Sequence, residues 1–165
     1  MAFDPKQHSL VEFEALSAHM SALLARAQAL PASQAASAHP PLHGKKLGLV
    51  CGAAADHDAD LFTRAANALG AQVALLRPSL SALSSAEEVQ RTARVLGRLY
   101  DALDCIGLPH DLVMRLAAEA GVPVFDGLAS AAHPACRDVQ VPAAEPGSDE
   151  WRCLVIQAVL LGTLS

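Results

Sequence analysis

Residues 46–76 read KLGLVCGAAADHDADLFTRAANALGAQVALL. The apolar run over 47–51 predicts a buried strand, because a strand covered on both faces needs no alternation of polar and apolar residues. The segment over 56–69 has helical spacing, and Gly70, a residue type that commonly ends helices, follows it. A second apolar run over 72–76 predicts another strand. The stretch therefore predicts a strand–helix–strand unit whose two strands are parallel.

Further units of the same kind follow along the chain. Ser84 and Ser85 each precede a glutamate by three residues, which is a pattern typical of a helix start. The next predicted elements are a strand, a helix and a strand over 102–106, 109–120 and 122–125. Gly121 is placed to end that helix. Alternating strands and helices favour a three-layer α/β/α fold with a short parallel sheet of about four strands.

The two flanks of this region are predicted to be helical. Ser9 and Glu12 form a capping-box pattern, and helical apolar spacing then predicts a long N-terminal helix over 9–30. The proline-containing segment over 31–43 is typical of a surface connection. The segment over 151–164 is apolar on nearly every side, so we expect a C-terminal helix buried against the rest of the fold.

Length and composition favour one folded unit. A chain of 165 residues accommodates one domain but not a second of ordinary size beside it. Its 52% hydrophobic and 18% charged residues exclude disorder for most of the chain. We expect a single unit over 1–165, with a body over 9–137, an irregular linker over 138–150 and the final helix over 151–164.

Charge and hydropathy exclude several classes of partner. The formal net charge of −5 argues against nucleic acid, which requires a basic surface. No apolar run reaches the ~20 residues that span a bilayer, and the start lacks the features of a signal peptide, so we expect a cytoplasmic protein without a membrane partner. The four cysteines form no C-x-x-C pair, which favours free thiols. No cofactor is predicted.

Several short motifs follow one another in a fixed order. They are LHGKKL at 42–47, LGA at 69–71, TARVL at 92–96, VPV at 122–124, Gly127-Leu128 and His133-Pro134. From residue 9 to about 137 the chain resembles the carbamoyl-phosphate-binding domain of the ornithine and aspartate carbamoyltransferases, enzymes of amino acid metabolism. The final segment resembles the family's C-terminal helix. The resemblance implies the family's transferase fold and a trimer formed through these domains.

The first departure from that family is a missing domain. Family enzymes place a whole amino-acid-binding domain between the His-Pro motif and the final helix. Here only 138–150 lies in that interval, which is far too short for a domain. The resemblance therefore gives this chain no counterpart of the ornithine or aspartate site.

The second departure concerns the phosphate site. The family has Ser-Thr-Arg-Thr-Arg at the start of the helix after the first strand, where free N–H groups, hydroxyls and arginines bind phosphate. The same positions are Ala55, Asp56, His57, Asp58 and Ala59. Two unit charges at ~4 Å and an effective dielectric of ~20 repel by roughly 4 kcal/mol. We therefore expect the affinity for carbamoyl phosphate to be severely reduced or absent.

Other contacts that the resemblance implies are also altered. Ile106 and Gly107 replace the family's Arg-Thr, Ala82 replaces a glutamine from the neighbouring subunit, and Cys136 replaces the glutamine after the His-Pro motif. His133, which in the family helps to polarise the carbamoyl group, is retained. We predict no confident catalytic residue. The expected remnant of the pocket consists of Ala55, Asp56, His57, Asp58, Ile106, His133 and Cys136.

Each candidate also has a structural interpretation, which we favour. His133 is either a hydrogen-bond donor to a ligand or a partly buried loop residue. The acidic turn over 56–60 is either a hard-metal site or a capped helix start. A soft-metal or thiol site would draw on Cys51, His57, Cys105, His133 and Cys136, but buried cysteines are commonly small core residues. No metal is therefore predicted.

Three functional hypotheses remain. The first is a catalytically inactive, carbamoyltransferase-like pseudoenzyme that acts as a structural or regulatory module. It would associate with itself, as a trimer by analogy, or with a full-length carbamoyltransferase subunit. The second is a carbamoyl-phosphate-binding remnant or subunit of an ornithine or aspartate carbamoyltransferase. The third is a small-molecule or metal-binding module that reuses the old pocket.

Overall fold

Four parallel strands form the centre of the computed structural model, which describes residues 19–30, 39–52, 56–138 and 144–165. The strands are β1 (Lys46–Cys51), β2 (Gln72–Leu76), β3 (Ala102–Ile106) and β4 (Val124–Asp126). Their spatial order is β2-β1-β3-β4. The predicted parallel sheet is therefore confirmed, with β1 and β3 at its centre.

Helices cover both faces of this sheet. Within the described ranges they are α1 (Met20–Ala29), α2 (Asp56–Ala68), α3 (Ala86–Leu99), α4 (His110–Ala120), α5 (Pro134–Asp138) and α6 (Asp149–Leu164). Helices α1, α2 and α6 pack together on one face, and α3 packs on α4 on the other. This arrangement confirms the three-layer α/β/α fold.

The central strands are apolar because both of their faces are buried. Leu47 and Leu49 of β1 belong to the core with α1, α2 and α6, whereas Val50 belongs to the core with α3 and α4. Every residue of β3 is buried. The uninterrupted apolar run that predicted β1 thus reflects a strand that contributes to two cores.

The predicted helix ends are also present. Ser85 Oγ accepts a hydrogen bond from Glu88 N (3.2 Å), and Glu88 Oε2 accepts one from Ser85 N (3.3 Å), which completes a capping box at the start of α3. Gly70 and Gly121 have φ values of +88° and +71°. Both follow helices in the left-handed conformation that favours glycine.

Several boundaries differ from the predictions by one or two residues. Strand β4 was predicted over 122–125, but it begins at Val124, because Pro123 has no N–H to donate and contributes only its carbonyl, which accepts from Leu103 N (2.9 Å). The short helix α5 was not predicted. It begins at Pro134, a residue suited to a helix start, and its last residue, Asp138, lies in the linker predicted over 138–150. Of the predicted helix over 9–30, residues 9–18 lie outside the described part.

Helix α6 confirms the prediction of a buried C-terminal helix. It begins at Asp149, two residues earlier than predicted, because Ser148 Oγ accepts a hydrogen bond from Trp151 N (3.2 Å) and caps it. Trp151 is 2% exposed, and the helix packs against both α1 and α2. Among the described residues, no helix is both long and apolar enough to span a bilayer.

Candidate functional site

The carboxyl ends of the strands form the candidate site. In open parallel sheets, ligands bind outside these ends where the strand order reverses, which in this sheet is between β1 and β3. The two strands remain paired at this edge, since Gly52 N donates to Ile106 O (2.8 Å). The start of α2 and the loop after β4 flank the same edge.

The acidic start of α2 is paired with side chains of this same chain. Asp56 is largely exposed and lies 3.3 Å from a guanidinium nitrogen of Arg77. His57 Nε2 lies 3.2 Å from Asp149 Oδ1 at the start of α6. Asp58 Oδ1 accepts a hydrogen bond from Arg152 Nη2 (2.6 Å). Both arginines that reach these aspartates are therefore already neutralised.

Arg152 is the most buried of these charges. It is 7% exposed, and besides Asp58 it donates from Nη2 to the carbonyl oxygen of Ala129. Its Nη1 lies 3.9 Å from Asp149 Oδ1. Its Nε has no hydrogen-bond partner among the described residues. The guanidinium thus links α6 to both α2 and the loop after β4.

The remaining pocket positions supply little charge. Ile106 is buried in the apolar core, and Gly107 follows it with φ +71°. Cys136 is buried and its thiol lies 3.7 Å from the Leu128 carbonyl oxygen. Ala59 is also buried. Ala55 lies outside the described residues.

His133 is half-buried and neutral at neutral pH. Its Nδ1 accepts a hydrogen bond from Ala135 N (3.1 Å), so the ring proton is assigned to Nε2. Burial lowers the pKa of His133, and the negative charge of Asp126 opposes that effect without reversing it. The side chain can therefore donate one neutral hydrogen bond at this edge.

Sequence reasoning did not identify a histidine–carboxylate pair beside this position. His110 Nδ1 and Asp126 Oδ2 are 2.5 Å apart, although both side chains remain partly open to solvent. The hydrogen bond to Asp126 raises the pKa of His110. Only the topology could have indicated this pair, because the first residue of α4 and the last residue of β4 lie at the same edge of a parallel sheet.

A buried carboxylate was also not identified. Asp104 is fully buried in the middle of β3, and its Oδ1 accepts a hydrogen bond from Leu128 N (3.1 Å). Its Oδ2 has no partner among the described residues. Burial raises the pKa of Asp104 to about 7, against the opposing effect of backbone hydrogen bonds. The signal in the sequence was an aspartate inside the apolar segment ALDCI.

Two of the cysteines face opposite sides of the sheet. Cys51 belongs to the core with α2 and α6, whereas Cys105 belongs to the core with α3 and α4, so the sheet separates them. Burial raises the pKa of Cys136 to about 11 and also raises the pKa of Cys105. All four cysteines are free. In the described ranges no three His, Cys, Asp or Glu side chains are placed to hold a metal ion.

The fold and this edge define a class of protein. A doubly covered parallel sheet with a helix start at its switch point is the architecture of α/β domains that bind small anionic molecules. Here the helix start carries carboxylates, and the neighbouring arginines are bound to them. The helix start at this edge therefore presents acidic side chains, and the arginines beside it are already paired with them.

Comparison with known proteins identifies the family. Residues 8–136 match the carbamoyl-P binding domain of aspartate/ornithine carbamoyltransferase. The chain belongs to this family. An ornithine carbamoyltransferase of Cutibacterium acnes is 42% identical over 95 residues, which cover 58% of this chain and 28% of that protein. A second relative, an ornithine carbamoyltransferase of Neisseria meningitidis, is 48% identical over 73 residues, which cover 44% of this chain and 28% of that protein.

Solved structures share the fold of this chain. The ornithine carbamoyltransferase of Gloeobacter violaceus superposes with a TM-score of 0.55 at 34% identity, covering 76% of this chain and 39% of that one. An aspartate transcarbamoylase of Trypanosoma cruzi superposes with a TM-score of 0.59 at 22% identity, covering 78% and 42%, and shares the fold. The chain thus matches less than half the length of each of these relatives.

Proposed function

We propose that this chain is a carbamoyltransferase-family domain that does not itself transfer a carbamoyl group and instead serves as a structural or regulatory module. One observation carries the proposal. The resemblance implies that this helix start binds phosphate in the family. In this chain it carries Asp56 and Asp58, and both aspartates form ion pairs within the chain. A dianion would therefore meet carboxylates at this position.

The energetics support a weak or absent phosphate site. Phosphate binding at a helix start depends on free N–H donors and cationic side chains. Arg152 donates to Asp58 and to the Ala129 carbonyl oxygen, so a phosphate would have to displace the bound carboxylate. His133 offers one neutral donor, and by itself it supplies no charge to balance a dianion.

The interval between α5 and α6 supports the same proposal. The resemblance implies that family members have their amino-acid-binding domain in this interval. In this chain α5 ends at Asp138 and α6 begins at Asp149. An interval of this length cannot fold as a domain. We therefore propose that the body, the linker over 138–150 and the final helix form one unit without a second-substrate site.

Association with other subunits is the proposed role. Leu75 on the edge strand β2 is 54% exposed, and Leu83 in the following loop is 95% exposed. Exposed apolar side chains beside a strand edge that pairs with no described residue favour contact with another protein. The partner would be further copies of this chain or a full-length carbamoyltransferase subunit. For self-association, the resemblance to the family implies a trimer. The cytoplasmic location stays a prediction.

A second candidate function is a carbamoyl-phosphate-binding remnant or subunit of an ornithine or aspartate carbamoyltransferase. The retained His133 favours it, because its Nε2–H is free of any partner in the described residues and could donate to a carbonyl oxygen. A metal-binding or small-molecule module has no comparable observation in its favour, and elemental analysis of the purified protein tests the metal version.

Calorimetric titration with carbamoyl phosphate tests the first two candidates, with inorganic phosphate as the control. We expect no saturable heat up to about 10 mM ligand, which corresponds to a binding free energy weaker than about −3 kcal/mol. Saturable binding in the micromolar range would contradict the proposal and favour the second candidate. Co-purification with a full-length carbamoyltransferase tests the proposed association. The original chain should co-purify with it, and the Leu83→Asp variant should do so less.

A further inference from the structure

Three charged side chains meet at the start of α2. Asp58 belongs to the first turn of α2, Asp149 begins α6, and Arg152 lies between them. Arg152 is 7% exposed, and burying a guanidinium is unfavourable unless anions and hydrogen-bond acceptors replace its water. Asp58 provides the nearest anion, at 2.6 Å.

A helix start and an arginine side chain are both groups that commonly bind oxyanions. The start of a helix as long as α2, with 13 residues, presents free N–H groups and the positive end of a dipole. A guanidinium adds paired donors that match the oxygen atoms of phosphate or sulfate. Arg152 still has one buried donor, Nε, without a partner among the described residues. In this chain the guanidinium is instead paired with a carboxylate of the helix itself, Asp58.

We propose that Asp58 is a built-in anion that plugs a latent oxyanion site formed by the start of α2 and Arg152. The plug also fastens α6 to α2, because Arg152 comes from α6 and Asp58 from α2. The inference rests on the proposed function and deepens it, since it gives the physical reason why an external phosphate would not bind. The ligand class of the unplugged site is a phosphate-like or sulfate-like oxyanion.

The other aspartates of this turn do not fit the role. Asp56 is 88% exposed at its side chain and pairs with Arg77 at the surface. Asp60 is exposed. Within the described residues, Asp58 is the α2 carboxylate that contacts a buried cation. Asp60 therefore provides a control that removes the same charge from the same turn.

The test uses the full chain and the variants Asp58→Asn, Asp58→Asn/Arg152→Gln and Asp60→Asn. Each protein is titrated with inorganic phosphate and with sulfate, and its melting temperature is compared in phosphate and in sodium chloride of equal ionic strength. We expect Asp58→Asn to bind phosphate at least about tenfold more tightly than the original chain, a difference readily seen by titration. The double variant and Asp60→Asn should show no gain.

Several outcomes would overturn the inference. One is a folded Asp58→Asn protein that phosphate stabilises no more than sodium chloride does. Another is a gain in binding that persists in the double variant, because Arg152 would then play no part. If Asp58→Asn is unfolded without anions, phosphate should restore its cooperative transition by mass action, and a variant that stays unfolded at every concentration counts against the plug.

The two proposals fail separately. Binding of carbamoyl phosphate by the original chain would overturn the proposed function whatever the variants do. Absence of a phosphate response in Asp58→Asn, with no carbamoyl phosphate bound by the original chain, would overturn the plug alone. In that case the Asp58–Arg152 contact would be an ordinary structural ion pair.

Discussion

Asp104 in the middle of β3 accepts a hydrogen bond from the backbone N–H of Leu128, 24 residues further along the chain. The contact ties the loop after β4 to the sheet from inside the core. The second carboxyl oxygen of Asp104 has no partner among the described residues, so ionisation of this side chain would leave a poorly solvated negative charge. The contact therefore couples the loop beside His133 to the protonation of one buried group.

Stability should fall as the pH rises through the slightly acidic range. Asp104 titrates at 3.8 when unfolded and at about 7 in the folded state, so the folded state binds the extra proton between these values. The free energy of unfolding should decrease by up to about 4 kcal/mol from about pH 4 to about pH 7 and then level off. Urea unfolding across this range measures the effect.

Asp104→Asn provides the control for that dependence, because the amide can still accept from Leu128 N and does not ionise. The variant should lose most of the decrease and be more stable than the original chain at pH 8. Equal pH dependence in the two proteins would mean that Asp104 is not the group responsible.

The pair of His110 and Asp126 gives a second pH dependence of stability, which arises from a hydrogen bond rather than from burial. The hydrogen bond to Asp126 raises the pKa of His110, so the pair stabilises the fold below the ordinary histidine pKa of 6.5, and that contribution is lost as the pH rises through the folded value. Asp126→Asn should lower the pKa of His110 toward 6.5. Titration of the histidine ring protons by NMR measures the shift.

An unchanged pKa of His110 in the variant would contradict the pairing described for α4 and β4.

The fold was predictable because local patterns and tertiary structure agree. The apolar run of β1 indicates burial on both faces, and the capping box of Ser85 and Glu88 satisfies backbone donors whatever the rest of the chain does. The error at β4 came from treating Val122 as part of a strand although Pro123 limits the pairing there. Helix α5 was missed because five residues carry too little periodicity.

The candidate site was predictable in position but not in its contacts. The acidic start of α2 and the retained His133 are visible in the sequence, and the topology places both at one edge. The ion pair of Asp58 and Arg152 joins residues 94 positions apart, so no local spacing indicates it. It depends on how α6 packs, which is a property of the tertiary structure.

The packing of α3 on α4 should not tolerate a side chain at Gly97. A Cβ at this position would collide with the carbonyl oxygen of Ala120, which belongs to the backbone and cannot rotate away. Although alanine favours helix by about 1 kcal/mol over glycine, overpacking of this kind costs about 1–3 kcal/mol or more. Gly97→Ala should therefore lower the free energy of unfolding, whereas Arg91→Ala on the exposed face should change it by less than about 0.5 kcal/mol. Stabilisation by Gly97→Ala would contradict the close approach of the two helices.

Removal of the Trp151 side chain tests whether α6 is an integral part of the core. Trp151 is 2% exposed and packs in the core that α6 shares with α1 and α2. Trp151→Ala should destabilise the protein by about 3–5 kcal/mol through lost burial and a residual cavity. Glu150→Ala, on the exposed side of the same turn, should cost less than about 0.5 kcal/mol.

The variants should be compared by circular dichroism in urea, because Trp151 is the single tryptophan and its removal abolishes the tryptophan fluorescence signal. Similar midpoints for the two variants would mean that α6 docks too weakly to hold Arg152 against the start of α2.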